Sequence, residues 1–315
     1  MPSILLQEPL LPEEVTSLKM EFPHYEILTE CENDSDWDSI EILYGQCLTE
    51  QQLKLAPRLR WIHCPTTAIE ELCLTEIQKT QNILVTLSKG QNVPQIAEYV
   101  IGAILAFAKQ LFHWPQAPHD PAEFWDWPLK ETMWMMQKKI LLQIGLGEVG
   151  TAIVKMANDL GMKSWGVRRH LSFHPYCHKT YPLSNIHSLL PAADVVVLAL
   201  PKRALEQTLF GEEEFELMKS DSIFIVVGSG DPIDETALAK VAKTGKFRGI
   251  LLDAFRHPPP AKNSPLWDMP NGILTPSAAS FPEAEEHLPF RLFLRNLRMF
   301  STGQINEMKN LMIRV

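Results

Sequence analysis

Apolar positions along this chain recur at two spacings. Short apolar runs at residues 3–7, 25–28, 40–44 and 60–64 alternate with stretches of helical spacing at 12–21 and 50–56. A short run bounded by turn formers predicts a buried strand, and apolar residues three and four apart predict one face of a helix. Their alternation up to about residue 99 predicts a parallel sheet flanked by helices. Between residues 94 and 111 the pattern broadens, with Ile96, Tyr99, Val100, Ala103, Ile104, Phe107 and Leu111 at helical spacing. So wide an apolar surface suits a helix buried between layers or subunits.

A second alternating series starts near residue 137, with strands predicted at 140–144, 163–167, 193–200, 222–227, 249–255 and 272–275 and a helix at 234–242. A closing helix over 283–299 is long enough to return to the first domain, and a short tail follows. The expected fold is therefore α/β with two doubly wound parallel-sheet domains. A discontinuous, flavodoxin-like domain of residues 1–99 and 283–315 carries an inserted Rossmann domain of residues 100–282.

The first run of the second series flows directly into G-x-G-x-x-G, formed by Gly145, Leu146, Gly147, Glu148, Val149 and Gly150, and then into a helix through Ala157. In that setting Gly145 permits a tight turn, Gly147 lets the backbone approach a pyrophosphate, and Gly150 allows close helix-strand packing. The next strand ends at Arg168 and Arg169. A ribose 2′-hydroxyl calls for an acidic residue there and a 2′-phosphate for arginine, so the pair favours NADP(H) over NAD(H). A solvated basic loop is the bland alternative.

Charge and composition narrow the partners. A net charge of −9 with no basic run argues against nucleic acid. The N-terminus lacks the basic start and apolar stretch of a signal peptide, and no run of about 18 uncharged apolar residues occurs. The expectation is a cytoplasmic protein without a membrane segment. Five cysteines without a C-x-x-C pair read as reduced packing residues. His170, His174 and His178 have metal-ligand spacing, but Pro175 interrupts them and no carboxylate is nearby, so a solvated loop and no metal are expected. Residues 112–136 hold Trp114, Trp125, Trp127 and Trp134 among prolines, either as a partner-binding arm or as an intramolecular cover.

The sequence resembles the D-isomer-specific 2-hydroxyacid dehydrogenases, in particular the branch similar to glyoxylate/hydroxypyruvate reductases. The resemblance runs nearly end to end. It is carried by Leu59-Arg60-Trp61-Ile62, Ala97-Glu98-Tyr99-Val100, the glycine motif, Gly161-Met162 through Arg169, and Val195-Val196-Val197-Leu198-Ala199-Leu200-Pro201. Asp234-Glu235-Thr236-Ala237-Leu238, Leu252-Asp253-Ala254-Phe255, Ser264-Pro265-Leu266-Trp267 and Asn296-Leu297 continue it. It implies a two-domain homodimer joined through the Trp-rich arm, a dinucleotide on the inner domain near Pro201 and Gly228, and Asp253 at the nicotinamide carboxamide. Hydride would pass between nicotinamide and C2 of a 2-keto or 2-hydroxy acid, whose carboxylate would meet the loop of Thr67, Ala68 and Ile69.

The family supplies an arginine, a glutamate and a histidine for that reaction. The matching positions here are Ser229, Pro258 and Ser277, and the substrate loop carries Ala68 where glycine is common. Two readings follow. In the first, the chain binds a dinucleotide but is impaired or inactive in the family reaction. In the second, Arg256 and His257, just before Pro258, offer a relocated cation and acid.

Overall fold

The computed structural model describes residues 1–66, 69, 71–80, 83–169, 171–201, 208–281 and 287–313. The chain divides into two compact units, Met1–Asn92 with Pro282–Val315 and Val93–Phe281. In chain order the first unit contains β1 (Ser3–Leu6), α1 (Pro12–Glu21), β2 (Glu26–Leu28), β3 (Ile40–Tyr44), α2 (Glu50–Leu55), β4 (Trp61–Cys64), α3 (Leu74–Lys79) and β5 (Leu84–Leu87). The second contains α4 (Val93–Ala108), α5 (Pro121–Trp125), β6 (Ile140–Ile144), α6 (Glu148–Asp159), β7 (Lys163–Arg168), β8 (Lys179–Pro182), α7 (Ile186–Leu189) and β9 (Val195–Leu200). It continues with α8 (Glu212–Leu217), β10 (Ser222–Gly228), α9 (Glu235–Ala242), β11 (Phe247–Leu252) and β12 (Gly272–Leu274). The first unit then closes with α10 (Leu288–Ser301) and β13 (Leu311–Ile313).

The first sheet has the order β2-β1-β3-β4-β5-β13. Its neighbours run parallel except β13, which lies antiparallel on β5 with Leu311 opposite Thr86. The sheet is therefore mixed, not wholly parallel, and the expected C-terminal tail is an edge strand. Three residues carry too little pattern to announce a strand. This one is held by its neighbours, with Leu87 N–H donating to Asn310 O at 3.2 Å and Asn310 Nδ2 to Lys89 O at 2.6 Å. Leu18 of α1 and Phe293 and Leu297 of α10 pack on Ile4, Ile42 and Trp61. Leu53 of α2 and Ile77 of α3 pack with Leu5, Leu43, Ile62 and Val85.

A polar chain runs through this core. Trp61 Nε1 donates to Thr86 Oγ1 at 2.9 Å, Thr86 Oγ1 meets His63 Nδ1 at 2.7 Å, and His63 Nε2 meets Ser88 Oγ at 3.0 Å. Each buried polar atom in it has a partner, as burial in a low dielectric demands. Burial pushes the His63 imidazole down to about 3, so it is neutral.

The second sheet is parallel throughout, in the order β8-β7-β6-β9-β10-β11-β12. Chain order reverses between β6 and β9, which makes a switch point at the end of β6. Val100, Ile104 and Phe107 of α4 and Ile153, Val154 and Ala157 of α6 pack with Leu141, Val195, Val197 and Ile225. Phe215 of α8 and Leu238 of α9 pack with Leu142, Ile144, Val196 and Phe224.

Residues 112–136 divide in behaviour. Lys139 Nζ lies 3.9 Å and Arg248 Cζ 4.2 Å from the centroid of the Trp134 ring. Phe124, Trp125 and Met135 are instead exposed, Trp125 by 75%. The cysteines are free thiols. Among the described residues no helix is long and apolar enough to cross a membrane.

Candidate functional site

The site is built at the C-terminal ends of the second sheet. β6 delivers Gly145 with φ +91°, a left-handed conformation that disfavours any side chain. A Cβ there would run into the Ala199 carbonyl, and a Cβ on Gly150 into the Gly145 carbonyl. Both glycines are thus required by the chain's own packing. Gly147 is different. It caps α6 in an extended conformation, φ −77° and ψ −164°, and a Cβ on it would meet nothing within 4 Å. The first turn of α6 has no side-chain cap, and Glu148 and Val149 continue it, Glu148 exposed and Val149 half-buried. Open space over uncapped N–H groups at a helix N-terminus fits the pyrophosphate of a dinucleotide.

Ile144 pairs with Val167, so Arg168 stands beside the glycine turn. The half-buried Arg168 donates from Nη1 to Ser172 Oγ at 2.5 Å, and Arg169 is exposed. The loop beyond them is largely solvated, as its sequence predicts, with Leu171, Ser172, Phe173, Pro175, Tyr176 and His178 exposed; the exception is one histidine. His174 is buried, with Nε2 at 3.1 Å from Thr151 Oγ1 of α6. Burial and the Arg168 charge hold its imidazole below the usual histidine range. His178 Nδ1 accepts the Ser164 N–H at 3.2 Å. His170 lies outside the described residues, among which no group of three or more His, Cys, Asp or Glu could hold a metal ion.

Further along the edge, Pro201 follows β9 and is exposed. Gly228 ends β10 with φ +96°, and a Cβ there would press on the Leu200 carbonyl. Ser229 is buried, its hydroxyl accepting the Asp231 N–H at 3.2 Å.

Asp253, one residue beyond β11, is buried and fully engaged by the chain. Its carboxylate accepts from Thr275 Oγ1 at 2.6 Å, Ala278 N–H at 2.7 Å and Ala279 N–H at 3.1 Å. Burial still raises its pKa above the usual carboxylate range, against those hydrogen bonds. Asp253 therefore fixes the loop that carries Ser277. That serine is exposed at φ +55° and ψ +36°, with its N–H on Asp253 O at 3.1 Å.

Pro258 and His257 are exposed. Arg256 is exposed too but not adrift: its N–H donates to Glu235 Oε1 at 2.8 Å, and Nη2 donates to Thr208 Oγ1 at 3.1 Å and to Asp231 O at 3.4 Å. Gly230, which has no room for a Cβ against the Phe255–Arg256 backbone, brings the two loops together. Of the substrate loop, Ile69 is half-buried against the first unit's core, and Thr67 and Ala68 lie outside the described residues.

Residues 101–279 match the D-isomer specific 2-hydroxyacid dehydrogenases over their NAD binding domain. The chain belongs to this family. It is 27% identical over 284 residues to a D-3-phosphoglycerate dehydrogenase of Methanocaldococcus jannaschii, covering 88% of this chain and 52% of that one. It is 36% identical over 146 residues to a glyoxylate/hydroxypyruvate reductase B of Klebsiella pneumoniae, covering 45% and 44%. The chain thus matches about half the length of these curated relatives. A crystal structure of a family protein from Aeromonas salmonicida superposes with a TM-score of 0.73 at 26% identity, covering 99% of both chains.

Within the family frame, the strand ends bring together the glycine turn, the two arginines, Gly228, Ser229, Asp253 and Ser277. Three further residues, none among the expected site residues, take part. Thr275 holds Asp253, Thr208 holds Arg256, and Gln143 sits under the glycine turn. Only Gln143 left a signal, as a polar residue inside a buried strand.

Proposed function

We propose that this member of the D-2-hydroxyacid dehydrogenase family binds a dinucleotide, with NADP(H) favoured over NAD(H), and is impaired or inactive in the family's hydride transfer. The reaction needs a cation for the substrate carboxylate and carbonyl, an acid to protonate the alkoxide, and a carboxylate to charge that acid. The reading is carried by Ser229, Pro258 and Ser277, the residues that the family resemblance sets at those positions, which offer neither charge nor an acid near pH 7. A positioned general acid is worth about 10²–10⁴ in rate and an electrostatic contact to developing charge about 10²–10³. The NADP(H) preference rests on Arg168 and Arg169 beside the turn, and a homodimer on the exposed aromatic and methionine side chains of the arm.

A second reading, an active NADP-dependent oxidoreductase on a 2-keto or 2-hydroxy acid, has one observation in its favour. The Arg256 guanidinium hydrogen-bonds the Asp231 carbonyl, two residues from Ser229, so a cation is held against the loop that lacks the family arginine.

Calorimetric titration with NADPH and NADH tests the binding, and stronger binding of NADH refutes the cofactor preference. Reduction of glyoxylate and hydroxypyruvate tests the chemistry. Wild-type turnover near the ~10 s⁻¹ typical of enzymes refutes impairment. The combined Ser229→Arg, Pro258→Glu, Ser277→His variant is expected to gain about 10²-fold or more in turnover. Histidine is among the residues that tolerate the left-handed conformation of Ser277.

A further inference from the structure

Gln143 lies in β6 between Leu142 and Ile144, paired with Gly166 on β7 and Val197 on β9. It is completely buried. A central parallel strand covered on both faces is ordinarily apolar. Here the side-chain oxygen, Oε1, is buried with no hydrogen-bond partner. Leaving such an acceptor unsatisfied is destabilising, so packing alone favours an apolar residue of similar size.

What the glutamine supplies is its amide nitrogen. Nε2 donates to Gly145 O at 3.2 Å, with Ile144 O at 3.4 Å. The Gly145 carbonyl is the group on which a Gly150 Cβ would collide, and that Cβ would also lie 3.1 Å from Gln143 Nε2. The carboxamide is therefore wedged under the turn, between the strand end and the first turn of α6. C=O and N–H point in opposite directions across a trans peptide. Drawing the Gly145 carbonyl inward turns the Leu146 N–H outward, away from the core.

We infer that Gln143 is a positioning residue: through the Gly145 carbonyl its buried carboxamide aims the Leu146 N–H at the anionic part of a bound dinucleotide. The inference rests on the dinucleotide reading above. A local sacrifice of packing that orders a turn is the pattern expected where function overrides stability.

The test uses the full chain with Gln143→Met and Gln143→Leu, thermal unfolding of each, and calorimetric titration with NADPH. The expected result is an unchanged or raised Tm, because the orphaned oxygen is gone, with affinity weakened about fivefold, equivalent to about 1 kcal/mol. A residue that only filled the core would move both quantities downward together. Affinity unchanged within twofold in both variants overturns the inference. So does a loss that parallels a fall in Tm, or a failure of both variants to fold. If the wild type binds neither NADPH nor NADH, the dinucleotide reading falls and takes this inference with it, whereas wild-type binding matched by the variants removes the inference alone.

Discussion

The three glycines of the turn make separable predictions, because only two of them are demanded by the chain's own packing. Gly147→Ala places a methyl where nothing lies within 4 Å, at φ −77° and ψ −164°, which any residue adopts. Alanine is the poorer N-cap by about 0.5–1 kcal/mol, and loss of unfolded-state freedom returns about 0.4–1 kcal/mol. The two nearly cancel, so Tm is expected to stay within about 4 °C, given roughly 2–4 °C per kcal/mol for a unit of this size. Gly145→Ala instead meets the Ala199 carbonyl at φ +91°. The left-handed conformation alone costs about 1–2 kcal/mol, and the overlap with main chain brings the total to about 3 kcal/mol or more, a fall of about 6–12 °C.

Dinucleotide affinity should reverse that order of severity per unit of stability lost. A methyl on Gly147 stands where the pyrophosphate would approach, so Gly147→Ala is expected to bind NADPH at least about tenfold more weakly, near 1.4 kcal/mol, with its fold intact. Calorimetric titration of wild type and Gly147→Ala, paired with thermal unfolding of both alanine variants, reads these quantities. Wild-type affinity in Gly147→Ala would show that the open face over α6 is not where the ligand sits. A Gly147→Ala Tm as low as that of Gly145→Ala would refute the division of roles among the glycines.

Two further outcomes follow from buried groups. Because the His63 pKa is lowered from 6.5 to about 3, the unfolded chain alone takes up that proton as pH falls through this window. Stability is thus fully present above pH 6.5 and declines by up to ~1.4 kcal/mol per pH unit below it; a His63→Gln variant with the same acid slope in denaturant titrations would refute the assignment. Asp253→Ala strips the acceptors from Thr275 Oγ1 and the N–H groups of Ala278 and Ala279, with an expected loss of about 2–4 kcal/mol. A loss under about 0.5 kcal/mol, the scale of ordinary surface substitutions, would show that the loop bearing Ser277 is held by something else.

The sequence is most legible where a signal is local. The apolar run into G-x-G-x-x-G located β6, the turn and α6, because each follows from residues adjacent in the chain. Elements made by their partners were less visible: β8 carries Lys179, Thr180, Tyr181 and Pro182, with no strand-like alternation, and exists through its pairing with β7. β13 owes its place to β5 in the same way. The burial of His174 has no local signal, because its hydrogen-bond partner, Thr151 on α6, lies 23 residues earlier in the chain. Asp253 was matched by position, yet nothing in the sequence says that its carboxylate is committed to the loop after β12.

The glycine motif itself is where local legibility misleads. Gly145 and Gly150 are fixed by contacts with Ala199 and with each other, contacts that persist whether or not a ligand ever binds. Their presence reports the integrity of the fold. Gly147 has no such internal constraint, and Gln143 works against its own packing. These two positions, not the motif as a whole, carry the case that the turn still meets a dinucleotide. Neither bears on the proposed impairment of hydride transfer, which rests on Ser229, Pro258 and Ser277, residues set by other strands. A chain can therefore keep every glycine of the motif and lose the reaction, since the turn follows β6 whereas Ser229, Pro258 and Ser277 lie beyond β10, β11 and β12.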